Sequence, residues 1–236
     1  MNAQEYYKTI SEATQTVFEE SVIYCDFLGK INNYSVSLQD WLLVLPLSQE
    51  NHMIDHLIEQ MELSCLFLMS GMYRQSFSSL RLALELLCGA IYFSAHKLEY
   101  IEWRNGAGDI NWRIVHDYNN DVFSKRFRDA FFPKLSISDA DEQHVIAKSI
   151  YRELSEFVHG NYSTWSRENP TLSINKELIE KYKCIFQKIV RISHFLLSMR
   201  YLKEIQKEDL HKIEPHVMDE LQYISEIRLI FGGTVE

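Results

Sequence analysis

Apolar residues recur at helical spacing along most of this chain, and that pattern constrains the fold more than any other feature. The clearest stretch is 49–70, where apolar side chains return at every third or fourth position. Gly71 interrupts the pattern, and a second helical stretch follows at once over 73–100. So short a break favours an antiparallel helical hairpin. The second stretch is apolar around most of its circumference at 84–91, which is typical of a helix at the centre of a bundle.

The remaining sequence predicts more helices and no sheet. Further helices are expected at 4–30, 121–131, 138–159, 175–207 and 217–231, with loops at 32–35 and 105–109. Pro215 is expected to interrupt the pattern ahead of the last helix. A turn-rich β-sandwich or barrel would need more than the 8 glycines and 4 prolines present.

We therefore predict an all-α fold, an up-and-down bundle of four or five main helices with a helical insertion and a C-terminal helix. The chain of 236 residues would form one domain. Within it, 1–48 would be an N-terminal helical extension, 49–207 the core bundle with its insertion near 100–132, and 208–236 the C-terminal helix.

Composition and targeting signals limit the cellular compartment and the kinds of partner that we expect for this chain. The net charge of −9 argues against broad, salt-driven coating of nucleic acid, although a local basic cleft is compatible with it. The first residues lack the basic and apolar regions of a signal peptide, and the richest apolar run, 82–93, contains Glu85 and is short for a membrane span. The four cysteines never form C-x-x-C and are expected to be buried free thiols. We expect a cytoplasmic protein with no membrane partner.

The end of the helix predicted over 138–159 carries the residues best suited to chemistry. At about 100° per residue, one arc of this helix is polar and the opposite arc is apolar. The polar arc holds Arg152, Ser155, Glu156 and His159, and the apolar arc holds Ile150, Tyr151, Leu154, Phe157 and Val158. Gly160 and Asn161 are expected to end the helix.

A fixed cation two turns from a titratable imidazole suits reactions at a phosphodiester. Arg152 could hold phosphate oxygens in bidentate fashion, and His159 could transfer protons near neutral pH. The alternative is a solvated helix face, in which Arg152 pairs with Glu156 and His159 is a capping or surface histidine.

The spacing Arg152-x6-His159 resembles the Arg-x(4–6)-His signature of the HEPN superfamily (higher eukaryote and prokaryote nucleotide-binding domains). Two further segments resemble bacterial members of that family. They are Leu154-Ser155-x-x-Val158-His159-Gly160, and Gly71-Met72-Tyr73-Arg74 leading into Leu80-Arg81-Leu82-Ala83-Leu84-Glu85. The sequence departs from the pattern at Glu153, where the family often has Asn, Asp or His, and its six-residue spacer is at the long end of the range.

The resemblance implies a function and an assembly. It implies a metal-independent endoribonuclease of a toxin or phage-defence system, which needs no cofactor and leaves a 2′,3′-cyclic phosphate. His159 would act as general base or acid, and Arg152 would stabilise the phosphoryl group. Two copies would bring their motif helices together as a homodimer, with RNA as substrate and an antitoxin or defence protein as a possible partner. The alternative, which Glu153 and the acidic charge favour, is a non-catalytic module that binds a nucleotide, RNA or a protein.

Other polar residues could support this site. Arg81 and Glu85, at i and i+4 on an apolar helix, would form an ion pair that orients the motif helix or lies behind His159. Ser155, Glu156 and Asn161 could position the catalytic pair or bond to phosphate. Tyr162 and Trp165 could stack on a base, although loop aromatics that simply pack are commoner.

Two more clusters have a functional and a simpler interpretation. Lys125, Arg126 and Arg128, with Arg113 and Lys134 nearby, could contact RNA phosphates or could be a solvated basic run. His52 and His56, with Glu59 on the same face, have the i, i+4 spacing of metal ligands but lack an evident third ligand. A solvated face is the favoured interpretation there, and we predict no metal site.

Overall fold

The computed structural model describes residues 2–24, 27–110, 112, 117, 119–164 and 173–234, and this part of the chain contains no strand. Its α-helices are α1 (Ala3–Tyr24), α2 (Leu28–Val44), α3 (His52–Met69), α4 (Tyr73–Ala95), α5 (Lys97–Arg104), α6 (Lys125–Phe131), α7 (Ile137–Val158), α8 (Lys176–Tyr201), α9 (Leu210–Leu221) and α10 (Ser225–Ile230). Short 3-10 turns cover Gln49–Asn51 and Tyr162–Thr164. The all-α prediction is confirmed.

The centre of the bundle is the predicted hairpin of α3 and α4. Gly71, with φ of 74°, makes the tight turn between them, a backbone conformation that glycine adopts without steric cost. Helix α4 is buried around most of its circumference because α3, α7 and α8 all pack on it. Helix α9 then packs on α8 and on α2. The motif helix α7 therefore lies directly against the most buried helix of the fold.

One hydrophobic core runs through all three segments of the predicted division. Trp41 of α2, Leu87 of α4, Phe195 of α8 and Val217 of α9 are all fully buried in the same cluster. Helix α2, predicted as part of an N-terminal extension, thus contributes large side chains to the core. Burying such side chains contributes about 1.5–3 kcal/mol each, so α2 is a main source of stability.

Two predicted boundaries near the N-terminus are wrong. The predicted helix 4–30 is two helices, and the predicted loop 32–35 lies inside α2. Helix α2 continues through this polar stretch because Tyr34 is buried and its hydroxyl bonds to Ser193 of α8 at 2.6 Å. Burial and this hydrogen bond outweigh the weak helix propensity of the flanking asparagines.

In the second half of the chain, one predicted helix break and one predicted helix start are also wrong. Pro215 lies inside α9, where the buried stripe of Ile213, Val217 and Leu221 holds the helix together despite the missing N–H. Helix α6 begins four residues later than predicted, after Ser124, whose hydroxyl accepts from the Phe127 amide at 3.2 Å.

The predictions on membranes and cysteines need correction. Helix α4 is long and apolar enough to cross a membrane, contrary to the expectation that no segment reaches that length, but 72% of its apolar window is buried inside the bundle. Burial of that kind is typical of a core helix. Cys65 and Cys88 are buried as predicted, whereas Cys184 is exposed. Cys25 lies outside the described residues.

Candidate functional site

The motif helix α7 is defined at both ends by its caps. Ser136 caps its start by accepting the Ser138 amide at 3.2 Å. At the other end Gly160 has φ of 67°, and the Asn161 amide bonds back to the Glu156 carbonyl at 3.1 Å. This is the Schellman arrangement, which uses glycine in the left-handed region to satisfy the last carbonyls. The predicted end of the helix is confirmed.

Arg152 and His159 both lie on the exposed side of α7. Within the described parts of the chain neither side chain makes a hydrogen bond or an ion pair, so the expected alternative pair between Arg152 and Glu156 is not formed. Seven residues of α-helix place the two Cα atoms about 10 Å apart along the axis. Both groups are therefore free to meet a ligand, and they lie at different heights on one face.

The opposite side of α7 is fixed in the core. Ile150, Leu154 and Phe157 are buried, and the Phe157 ring stacks on Phe77 of α4 with centroids 4.1 Å apart. Val158 departs from the predicted apolar arc, since 39% of it is exposed. This packing holds the helix backbone that carries the two exposed side chains.

Arg81 of α4 joins the two helices through a half-buried polar network. Its guanidinium donates to the Tyr151 hydroxyl at 2.5 Å and to Ser155 Oγ at 3.3 Å, and it pairs with Glu85 at 3.1 Å. The Tyr151 hydroxyl in turn donates to Glu85 Oε1 at 3.3 Å, and Trp112 stacks on the Tyr151 ring at 3.8 Å. The predicted Arg81–Glu85 pair is thus present, and it contacts Tyr151 and Ser155 of the motif helix.

Burial changes the acidity of two groups in this network. Desolvation raises the pKa of Glu85, against the opposing effects of the Arg81 charge and the Tyr151 hydrogen bond. Desolvation also raises the pKa of Tyr151. The network bonds to residues one and two turns before His159, so it orients the helix that carries the imidazole.

Two cations near the end of α7 had no role assigned from the sequence. Arg74 Nη1 donates to the Phe157 carbonyl at 2.6 Å, and its Nη2 donates to Thr164 Oγ1 at 3.3 Å. Lys181 of α8 pairs with Glu153 at 2.9 Å. The only sequence signal for Arg74 was its place in the segment after Gly71, and nothing in the sequence connected Lys181 with Glu153.

The N-terminal half of α7 carries an interaction that the sequence did not predict. Asp121, which was expected to start a helix, is fully buried, and its Oδ2 lies 2.9 Å from His144 Nε2. Its other oxygen accepts the Phe123 amide at 2.9 Å, and the Phe123 ring stacks on the imidazole. This cluster ties the segment before α6 to the N-terminal half of α7.

The predicted RNA-binding residues divide between surface and interior. Lys125, Arg126 and Tyr162 are exposed, and Arg126 bonds to Asn120 at 2.9 Å. Arg128 does not suit RNA binding, because its side chain is only 11% exposed and donates to the Leu135 carbonyl at 2.6 Å. Asn161 is exposed beside His159. Arg113 and Trp165 lie outside the described residues.

The histidine pair on α3 interacts with acidic residues of its own helix. His52 lies 3.5 Å from Asp55, and His56 lies 2.8 Å from Glu59, all four side chains being exposed. Among the described residues no group of three or more His, Cys, Asp or Glu side chains is close enough to hold a metal ion.

No family model, curated protein or solved structure matches this chain.

Proposed function

We propose that this protein is a metal-independent endoribonuclease of a toxin or phage-defence system, and that it acts as a homodimer. One observation carries the proposal. Arg152 and His159 share the exposed side of a helix whose opposite side is locked into the core, and neither has a competing partner within the described residues. The resemblance of this segment to the HEPN signature points the same way.

The chemistry follows from what the two side chains can do. Neutral His159 removes the proton from a ribose 2′-hydroxyl, and the resulting oxygen attacks the adjacent phosphorus. The bond from phosphorus to the 5′-oxygen breaks, a protonated imidazole or water returns a proton to that oxygen, and a 2′,3′-cyclic phosphate remains. Arg152 stabilises the charge that builds on the phosphoryl oxygens, which its planar guanidinium can grip at two points.

Glu153 does not prevent this chemistry, although it follows Arg152 where the family often has a smaller polar residue. Its carboxylate is paired with Lys181 at 2.9 Å and points toward α8. The pair offsets the negative charge beside the site and keeps the carboxylate away from the exposed face. Glu153 is therefore compatible with a bound phosphate.

The spacing of the two groups along α7 supports the proposed homodimer. Arg152 and His159 are about 10 Å apart along the helix axis, so one helix presents them at separate heights. A two-fold axis crossing α7 near Ser155 and Glu156 would turn a second copy end to end. Arg152 of one copy would then lie opposite His159 of the other, and one dimer would hold two such pairs.

Cleavage of a labelled RNA by the purified protein tests this function. We expect His159→Ala and Arg152→Ala each to lower the rate by about 10²–10⁴-fold, and Arg152→Lys also to lower it, because lysine lacks the planar grip. The double change His52→Ala with His56→Ala is the matched control and should leave the rate unchanged. The product should carry a 2′,3′-cyclic phosphate, and EDTA should leave the rate intact.

Growth of an expressing host gives a second readout. Expression of the wild-type chain should arrest growth, and both single alanine variants should relieve the arrest. Equal growth of all three strains, together with RNA binding but no cleavage in vitro, would favour the non-catalytic module instead. Loss of cleavage on chelation would place the reaction on a metal and would remove His159 from its centre.

A further inference from the structure

We infer that Arg74 is a positioning residue that fixes the backbone at His159. The effect of this restraint on catalysis rests on the proposed function. Arg74 lies at the start of α4, next to the turn made by Gly71. Its side chain is half-buried and reaches across to the end of α7. Its hydrogen bonds within the described residues go to neither Arg152 nor His159, so it acts on the site through the backbone.

The contacts of Arg74 restrain the chain before and after His159. One guanidinium nitrogen donates to the carbonyl of Phe157, two residues before His159, at 2.6 Å. The other donates to Thr164 Oγ1 at 3.3 Å, and that hydroxyl donates to the carbonyl of Asn161 at 2.7 Å. Asn161 lies two residues after His159, so one side chain restrains the chain both before and after the histidine.

One of the bonded groups, the Phe157 carbonyl, lies in the last turn of α7. The last carbonyls of a helix lack partners within it and carry the negative end of the helix dipole, so a guanidinium there forms strong, charge-assisted bonds. Ring stacking between Phe157 and Phe77 fixes the same turn from the core side. The backbone at His159 is thus restrained while its side chain stays exposed, as a group that must meet a substrate requires.

Lysine can replace only part of this role. An ammonium could bond to the Phe157 carbonyl, but it offers one nitrogen in place of the two that Arg74 uses for Phe157 and Thr164. We therefore expect a graded series. Misplacing a catalytic group by about 1 Å costs about 10²-fold in rate. Arg74→Ala should lower kcat by about that factor, Arg74→Lys and Thr164→Val by about 10-fold, and KM should hardly change.

The matched control is Arg200, another arginine mostly buried at the opposite end of the bundle. It bonds to Ser94 at 2.7 Å and to Glu204 at 2.6 Å, and it lies over the Phe131 ring. Arg200→Ala removes a comparable set of contacts far from the C-terminal end of α7. It should lower thermal stability as Arg74→Ala does, while leaving kcat and the end of α7 unchanged.

The test pairs kinetics with amide hydrogen exchange at residues 157–164 and the NMR signal of the His159 imidazole, all in the full chain. Faster exchange and a shifted imidazole signal in Arg74→Ala, with a fall in kcat but not in KM, support the inference. Unchanged exchange, or faster exchange with unchanged kcat, overturns it. If the alanine variant does not fold, Arg74→Lys and Thr164→Val decide the matter by the same criteria. If the wild-type protein cuts no RNA, the proposed function fails, while exchange and NMR still decide whether Arg74 holds His159.

Discussion

Removing the guanidinium of Arg81 should cost the fold more than an ordinary surface change. Arg81→Met keeps the apolar stem but removes the bonds to Tyr151 and Ser155 and the pairing with Glu85. Breaking a fully buried ion pair costs about 3–5 kcal/mol. The Arg81 and Glu85 side chains keep 20% and 17% exposure, so water relieves part of that cost. We expect a loss of about 2–3 kcal/mol, or about 5–10 °C in Tm for a chain of this size.

A second change separates lost bonds from stranded charge. In Arg81→Met the Glu85 carboxylate remains half-buried without its cation. Adding Glu85→Gln removes that charge, so the double variant should recover about 1–2 kcal/mol relative to Arg81→Met alone. Urea unfolding followed by tryptophan fluorescence measures each step, with Arg126→Met as the exposed control, expected to change stability by less than about 0.5 kcal/mol. A double variant less stable than Arg81→Met would refute the reasoning, and so would an Arg81→Met protein as stable as wild type.

Three further predictions concern pH and the backbone. Burial raises the pKa of Glu85 above its ordinary 4.5. The protonated carboxyl therefore contributes its full stabilisation below pH 4.5, and this stabilisation is lost as pH rises through the raised pKa. The free energy of unfolding of wild type, relative to that of Glu85→Gln, should fall over the same pH interval. Burial lowers the pKa of His194 from 6.5 to about 3, so its contribution is complete above pH 6.5 and is lost as pH falls toward 3. Wild type should therefore lose about 1.4 kcal/mol more per pH unit than His194→Gln across that interval, and equal slopes in acid titration would count against it. Gly160→Ala should cost about 1–2 kcal/mol because φ is 67°, and Gly160→Asn should cost less, as thermal unfolding can measure.

His194 also shows how a buried polar group can set local structure outside the proposed site. The Trp41 indole donates to its Nδ1 at 3.1 Å, which makes that nitrogen an acceptor. Its Nε2 therefore carries the proton and donates it to Ser37 Oγ at 3.3 Å. Ser37 Oγ can accept this bond because its own hydroxyl donates to the Tyr34 carbonyl. The neutral imidazole joins α2 to α8. This explains why a segment expected to be peripheral is part of the core.

Local patterns predicted those features that depend on local periodicity. The α3–α4 hairpin, the end of α7 at Gly160 and the exposure of Arg152 and His159 follow from spacing along one helix. Two of the errors involve packing between helices that are distant in sequence. The helix continues through Tyr34 because of Ser193, and it continues through Pro215 because of a buried stripe.

Contacts between helices also account for what was missed at the site. Arg74 and Lys181 lie on α4 and α8, and their roles depend on which turn of α7 each helix reaches. Sequence spacing says nothing about that register. Arg128 shows the converse: it belongs to a basic run that looks solvated, yet its guanidinium is bonded to the Leu135 carbonyl. Charge composition alone cannot tell a cation on the surface from one that holds a loop.

The central claim is that Arg152 of one copy works with His159 of another, and mixed dimers test it most directly. The purified wild-type protein should be a dimer at micromolar concentration. Dimers of Arg152→Ala alone or of His159→Ala alone should be inactive. A mixed dimer of the two variants retains one intact cross-chain pair and should recover about half of wild-type activity. A dimer of wild type with the doubly substituted chain retains no intact cross-chain pair and should be inactive. The opposite result, with the first mixed dimer dead and the second half-active, would place both groups in one chain and contradict the composite site, as would a wild-type monomer that cleaves RNA.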